Sequence, residues 1–217
     1  MGVPEAAPRS LAVDAEPQRI GVLGGTFDPP HLGHLWLATL AADAMHLDRV
    51  LFMPAAQPPH KATNEVSRAT DRLLMTRLAI EGNVRFELCP IELERPGPSY
   101  TVDSLAELLR MEPEGTELFL VMAADSLAAI DTWREPDRIL ELAEWVVAPR
   151  PDASPPDHAS LVERFGSSAG RIHLLDGPAL AISSTVLRAR VAAGQAIDYL
   201  VPRAVEALIS ERGLYRS

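Results

Sequence analysis

Short apolar runs that alternate with longer amphipathic ones predict an α/β fold, a doubly wound and mostly parallel sheet in a single domain. Two further observations support it. Runs such as "VLFMPA" and "LFLVMA" are apolar on both faces, as strands covered by helices on each side must be. The unusual residues of the chain also follow such runs, at the strand ends where doubly wound sheets bind their ligands.

The elements follow in order. Strands are read at 19–24 ("RIGVLG"), 49–55 ("RVLFMPA"), 84–88 ("VRFEL"), 117–123 ("ELFLVMA"), 144–149 ("EWVVAP") and 171–176 ("RIHLLD"). Helices fall between them at 31–46, 70–82, 101–111, 134–143 and 158–165, with two more at 184–193 and 202–212 closing the chain. The Pro-rich stretches 54–61 and 149–158 read as surface loops. No repeat or linker marks a second domain, so 19–217 is read as one unit. Residues 1–18, a mixture of Pro, Ala and charges without the basic start and apolar centre of a signal peptide, read as a disordered extension.

Composition narrows the function classes. The chain has 217 residues, of which 47% are hydrophobic, enough for a packed core. No run approaches the roughly 18 apolar residues of a membrane span. A single cysteine, Cys89, excludes an internal disulfide framework, fits a reducing cytoplasm, and reads as a small buried hydrophobe. The net charge of -10 and the absence of any Lys/Arg block argue against a nucleic-acid backbone as partner. An anionic small molecule is still accommodated if helix N-termini, histidines and a few arginines converge locally.

The stretch "GGTFDPPHLGH", 24–34, is the strongest signal. Its glycines do not fit the G-x-G-x-x-G dinucleotide spacing, and no Walker string exists in the chain, so it is a different phosphate-binding turn. Asp28 reads as the N-cap of the following helix with Pro29 or Pro30 at its first position, which places His31 and His34 together beside the positive helix end. Alone, H-x-x-H fits a metal half-site or a surface accident equally well. A second constellation is "ISSTVLRAR", 182–190, where Ser183 or Ser184 caps a helix, Ile182 staples its entry and Gly194 ends it. Two hydroxyls at a helix start, with Arg188 about one turn inside, also make an anion site. Two such helix starts, far apart in sequence, suit a ligand with several phosphates.

Together these strings resemble the nucleotidyltransferases that share an H-x-G-H element with class I aminoacyl-tRNA synthetases, with their Rossmann-like fold. More narrowly, "PPHK" (58–61), "SYT" with "VDSL" (99–105), "AADSL" (123–127), "TW" (132–133) and "YLVP" (199–202) are similar to the bacterial nicotinate-nucleotide adenylyltransferase family. The likeness runs from about residue 19 to the C-terminus. One departure is Ala123, where the family carries glycine, so that a methyl group crowds the backbone near the nucleotide.

The resemblance implies transfer of the adenylyl group of ATP, with Mg²⁺, to nicotinate mononucleotide, which gives nicotinate adenine dinucleotide and pyrophosphate. The partners implied are these small molecules, with no nucleic acid and no membrane; a homo-oligomer is left open. A phosphate dianion is already a nucleophile, so such a site needs positioning and charge neutralisation rather than a general base. In that scheme His31 and His34 are the catalytic donors to phosphate oxygens. Gly24, Gly25, Thr26 and Phe27 bring backbone to the phosphates, while Ile182, Ser183, Ser184 and Arg188 hold the triphosphate and the adenine side. Lys61, in "PPHK", and Arg150, just past a strand, are otherwise ordinary loop residues and become nucleotide contacts here. Asp125 falls where doubly wound sheets bind ribose hydroxyls, its plain alternative being to cap the next helix. Thr101, Trp133 and Arg134 take the mononucleotide, with Trp133 as stacking plate where it would otherwise simply be core. Ser99 and Asp103 are further cap residues for the helix at 101. The sister enzyme pantetheine-phosphate adenylyltransferase shares the H-x-G-H and "ISST" motifs, but "SYT" and Trp133 argue against it. A silent nucleotide sensor is disfavoured by the intact histidines. A metallohydrolase lacks further ligands at recognisable spacing.

Overall fold

The computed structural model describes residues 16–56, 66–151 and 156–216. Its strands are β1 (Arg19–Gly25), β2 (Arg49–Pro54), β3 (Phe86–Leu88), β4 (Glu117–Ala123), β5 (Glu144–Ala148) and β6 (Ile172–Leu174). They form one sheet in the order β3-β2-β1-β4-β5-β6, and every neighbouring pair is parallel. From the centre the chain steps outward to β3, returns beside β1 as β4, and steps outward the other way. The order therefore reverses between β1 and β4, where a crevice opens at the strands' carboxyl ends.

The helices are α1 (Leu32–Ala44), α2 (Ala69–Ile80), α3 (Ile91–Glu94), α4 (Thr101–Met111), α5 (Ala124–Ala128), α6 (Pro136–Leu142), α7 (His158–Phe165), α8 (Ser184–Ala192) and α9 (Arg203–Arg212). Strand periodicity divides the apolar residues between two cores, because successive side chains point to opposite faces. Leu118, Leu120 and Met122 join Ile20, Val22 and Trp145 beneath α4 and α6. Phe119 and Val121 join Val50, Phe52 and Val146 beneath the alanine face of α1. This is why these strands read as unbroken apolar runs. A third cluster packs α2, α8 and α9 together through Met75, Leu187, Val205 and Leu208. No described helix is long and apolar enough to cross a membrane.

Several local expectations are corrected. α1 begins at Leu32 with His31 as its N-cap, not Asp28, and neither proline opens it. Asp28 is buried, and its carboxylate accepts from the Ser67 N–H at 3.0 Å and the Tyr215 hydroxyl at 2.5 Å. Donors distant in the chain thus compete successfully for a group that local sequence assigns to the helix. At α4 the N-cap is Tyr100, with no side-chain cap. Ser99 instead accepts from the Ala56 N–H at 2.9 Å, and Asp103 faces Arg134 at 3.6 Å. Ser183 does cap α8, accepting from the Val186 N–H at 3.3 Å. Gly194, at φ 67°, follows the C-cap Ala193 in the left-handed conformation that suits glycine. α3 and α5, of 4 and 5 residues, are too short to show a helical period in sequence. Cys89 is buried, which pushes its thiol up to about 11 and keeps it inert.

Candidate active site

A cavity of about 550 Å³ opens at the carboxyl ends of β1 and β4, within the range of small-molecule sites. One side of it is the end of β1, with Gly24, Gly25 and Thr26, together with His34, Asp125 and Arg150. Its other end is lined by Ser99, Tyr100 and Thr101 at the start of α4, and by Trp133 and Arg134. A recess of about 50 Å³ adjoins it, formed by His31, Gly33, Trp36, Pro178 and Ile182, and shares His34, Ala123 and Arg150 with the larger cavity. Residues from the beginning, middle and end of the chain therefore meet at one place.

The two histidines are held against each other, with ring centroids 3.7 Å apart and planes 30° from parallel. The main-chain N–H of His31 donates to Nδ1 of His34 at 3.2 Å. With Nδ1 as acceptor, the neutral His34 ring carries its proton on Nε2, making that nitrogen a donor. Phe27 packs edge-on against the same ring, 5.0 Å between centroids. A Cβ on Gly33, between the histidines, would lie 3.0 Å from Nδ1 and Cε1 of His31, close enough that the ring would have to give by a few tenths of an ångström.

His31 is 3% exposed and its Nδ1 has no hydrogen-bond partner. Burial, and secondly the nearby Arg150 charge, push its pKa down to about 4. At neutral pH it is therefore an uncharged imidazole with an unused ring nitrogen beside the recess. Between about pH 4 and 6.5 the unfolded chain binds a proton at this residue that the folded chain refuses. His31 thus contributes stability above 6.5 that is lost as pH falls through that window, about 3 kcal/mol for the whole shift. We expect His31→Asn to flatten that part of the pH–stability curve, as measured by urea unfolding from pH 7 to 4. An unchanged slope would count against the burial argument.

The remaining sequence candidates are placed as follows. Arg150 faces Asp125, Nε to Oδ2 3.5 Å, and both line the cavity. Ala123 lies at the junction of cavity and recess with φ −92°, a conformation open to any residue, so alanine in place of glycine introduces no backbone strain there. Trp133 is half-buried, packs against the core and lines the cavity. The Arg134 guanidinium lies 4.9 Å from the centre of the Tyr100 ring, which joins the two loops at the cavity's far end. Phe27 is buried, and it lines neither the cavity nor the recess. Ser184 donates to Pro29 O at 2.9 Å and Arg188 to Asp28 O at 2.8 Å, so the start of α8 is fastened to the glycine–proline turn. Lys61 lies outside the described residues, as do the first fifteen residues of the extension.

Sequence reading missed two groups that join this turn. Arg72 is 1% exposed and donates to four carbonyls, among them Thr26 O at 2.9 Å. A signal existed: Arg72, Met75, Thr76 and Ala79 are all buried and follow the i, i+3, i+4, i+7 stripe of α2, which puts a charge on its apolar face. Tyr215, near the C-terminus, carried no such signal.

A sheet in this order, with a histidine pair at the first helix start and a second capped helix docked on the same turn, defines a nucleotide-binding α/β fold of the nucleotidyltransferase class. Residues 22–190 match the cytidylyltransferase-like family model. A protein of Roseiflexus sp. (strain RS-1), named probable nicotinate-nucleotide adenylyltransferase, is 48% identical over 198 residues, 91% of this chain and 98% of the relative. One of the same name from Desulfitobacterium hafniense (strain DSM 10664 / DCB-2) is 42% identical over 207 residues, 95% of this chain and all of the relative. The chain belongs to the cytidylyltransferase-like family and, within it, to the nicotinate-nucleotide adenylyltransferases. The fold is also that of Plasmodium falciparum nicotinic acid mononucleotide adenylyltransferase complexed with NaAD, with TM-score 0.74 at 17% identity over 91% of this chain and 97% of the other.

Proposed function

We propose that this chain transfers the adenylyl group of ATP to nicotinate mononucleotide, forming nicotinate adenine dinucleotide and pyrophosphate in NAD biosynthesis. The observation that carries the reading is one continuous cavity with a histidine-flanked phosphate turn at one end and a helix start beside a half-buried tryptophan at the other. A nucleotide triphosphate fits the first, a flat anionic ring the second. The acceptor's phosphate oxygen attacks the α-phosphorus in line, a new P–O bond forms, and the bond to the bridging oxygen breaks to release pyrophosphate. His34, through Nε2–H, and the neutral His31 donate to phosphate oxygens as charge shifts toward the leaving group. Gly24, Gly25 and Thr26 supply backbone at the phosphates, Arg150 and Lys61 positive charge, and Asp125 a ribose contact. Ser183, Ser184, Arg188 and Ile182 hold the triphosphate and adenine side, and the Phe27 backbone completes the turn.

The donor set bears on the metal. Among the described residues no three His, Cys, Asp or Glu side chains gather to hold an ion. Asp125, already paired with Arg150, is the exposed carboxylate of the cavity. Mg²⁺ arriving on the phosphates of ATP would neutralise charge there, with Asp125 as the carboxylate that could meet it. We infer a cytoplasmic enzyme, since a chain with one cysteine has no internal disulfide and fits a reducing compartment. Pyrophosphate release from ATP tests the reading: we expect it with nicotinate mononucleotide and Mg²⁺, background rates with phosphopantetheine, and loss on chelation with EDTA. Release with phosphopantetheine instead, or stoichiometric zinc retained through dialysis, would replace it.

A further inference from the structure

A turn that holds a polyanion must present N–H groups and keep its carbonyls out of the way, since carbonyl lone pairs repel phosphate oxygens. In residues 24–30 three carbonyls are captured by side-chain donors from distant segments. Arg72 takes Thr26 O at 2.9 Å, Arg188 takes Asp28 O at 2.8 Å, and Ser184 takes Pro29 O at 2.9 Å. Arg72 is the most committed of these. It also donates to Ala55 O at 2.7 Å, Ala56 O at 3.2 Å and Ser67 O at 3.1 Å, so one guanidinium ties the turn to the chain leaving β2 and to the start of α2. Among the described residues no carboxylate lies within ion-pair distance of it, and a buried charge so arranged costs stability. The negative charge it senses is that of Asp28, itself 1% exposed. The Asp28 carboxylate is closed in turn by the Ser67 N–H and by the hydroxyl of Tyr215, from beyond α9.

Between these held points Phe27 sits at φ 50°, in the left-handed region that a bulky residue avoids. Such a conformation persists only where its surroundings enforce it. Carbonyl and following N–H point opposite ways across a planar trans peptide. Holding the Thr26 carbonyl toward Arg72 therefore turns the Phe27 N–H away from Arg72.

We propose that Arg72, through the Thr26 carbonyl, and Tyr215, through Asp28, are positioning residues for adenylyl transfer, which hold the turn with its carbonyls averted from the ATP phosphates. Neither need touch substrate. The inference rests on the reading of this turn as the triphosphate site.

Two variants of the full-length chain test it. Arg72→Lys keeps the charge and loses the fork of donors; Tyr215→Phe removes a single hydroxyl. The readouts are kcat, KM for each substrate, and the Kd for ATP alone by calorimetry. Each variant should weaken ATP binding and raise its KM about tenfold, the effect of one charge-assisted hydrogen bond, and lower kcat. KM for nicotinate mononucleotide should stay unchanged. A folded Tyr215→Phe protein with normal ATP affinity and kcat overturns the proposal, and so does a loss that falls equally on both substrates, the mark of general loosening. If Arg72→Lys does not fold, Tyr215→Phe decides alone. A wild-type chain that fails to bind ATP would overturn the reading of the site itself, whereas an ATP-binding wild type with unaffected variants overturns only the positioning role.

Discussion

His34→Ala is expected to lower kcat by roughly 10²–10³, the loss typical of one preorganised donor to a developing oxyanion. Because Nδ1 accepts from the His31 N–H, Nε2 bears the proton, and the ring lines both the cavity and its recess. Packing against His31 and Phe27 restricts the ring, so little reorganisation is needed when charge moves to the phosphates. The residue lies at the third position of α1, outside the main core clusters, so circular dichroism should report an intact fold. KM for ATP should change less than kcat, since the bond strengthens in the transition state. Near-normal turnover by a folded His34→Ala protein would remove His34 from the mechanism.

The second expected result is a preference for nicotinate over nicotinamide mononucleotide of roughly 10² or more in kcat/KM. The two acceptors differ at one group, so discrimination must arise where the far end of the cavity meets the ring. That end is the start of α4, whose first N–H groups at Thr101 and Val102 lack partners within the helix and lie at its positive pole. Tyr100 as N-cap supplies no side chain to consume those donors. A carboxylate takes up such donors fully, whereas the amide's NH₂ leaves some unpaired, at a cost of about 1–3 kcal/mol each. Arg134 lies close by, over the Tyr100 ring. Trp133→Ala should then mainly raise KM for the mononucleotide and leave ATP binding intact. Steady-state comparison of the two acceptors decides it: comparable kcat/KM values would show that the acceptor end has been misassigned.

The legibility of these features differed for physical reasons. β2 and β4 were readable because their runs are apolar on both faces, whereas the edge strands β3 and β6 bury one residue each and were read from their place in the strand–helix alternation; the long helices showed a period sustained over ten or more residues. α3 and α5 span about one turn each, and no periodicity exists over so few positions. The misassignment of Asp28 is instructive. By local rules an Asp before two prolines and a helix should cap it, yet its partners, Ser67 and Tyr215, stand 39 and 187 residues away. Arg72 illustrates the converse: an arginine on the buried stripe of a helix is a readable anomaly, but not which carbonyls it serves.

By itself, then, the sequence determined the layered α/β class, the gathering of its unusual residues at the strand ends where a cavity opens, the nearness of His31 to His34, and the reaction class that those motifs resemble. These follow from periodicity and from short-range spacing, both of which are local. The tertiary structure alone decided that His31 is buried enough to remain uncharged, that α8 docks on the turn through Ser184 and Arg188, and that α2 and the C-terminal tail lock it from behind. Desolvation and hydrogen bonding between remote segments depend on how the chain packs, and no window of neighbouring residues contains that information.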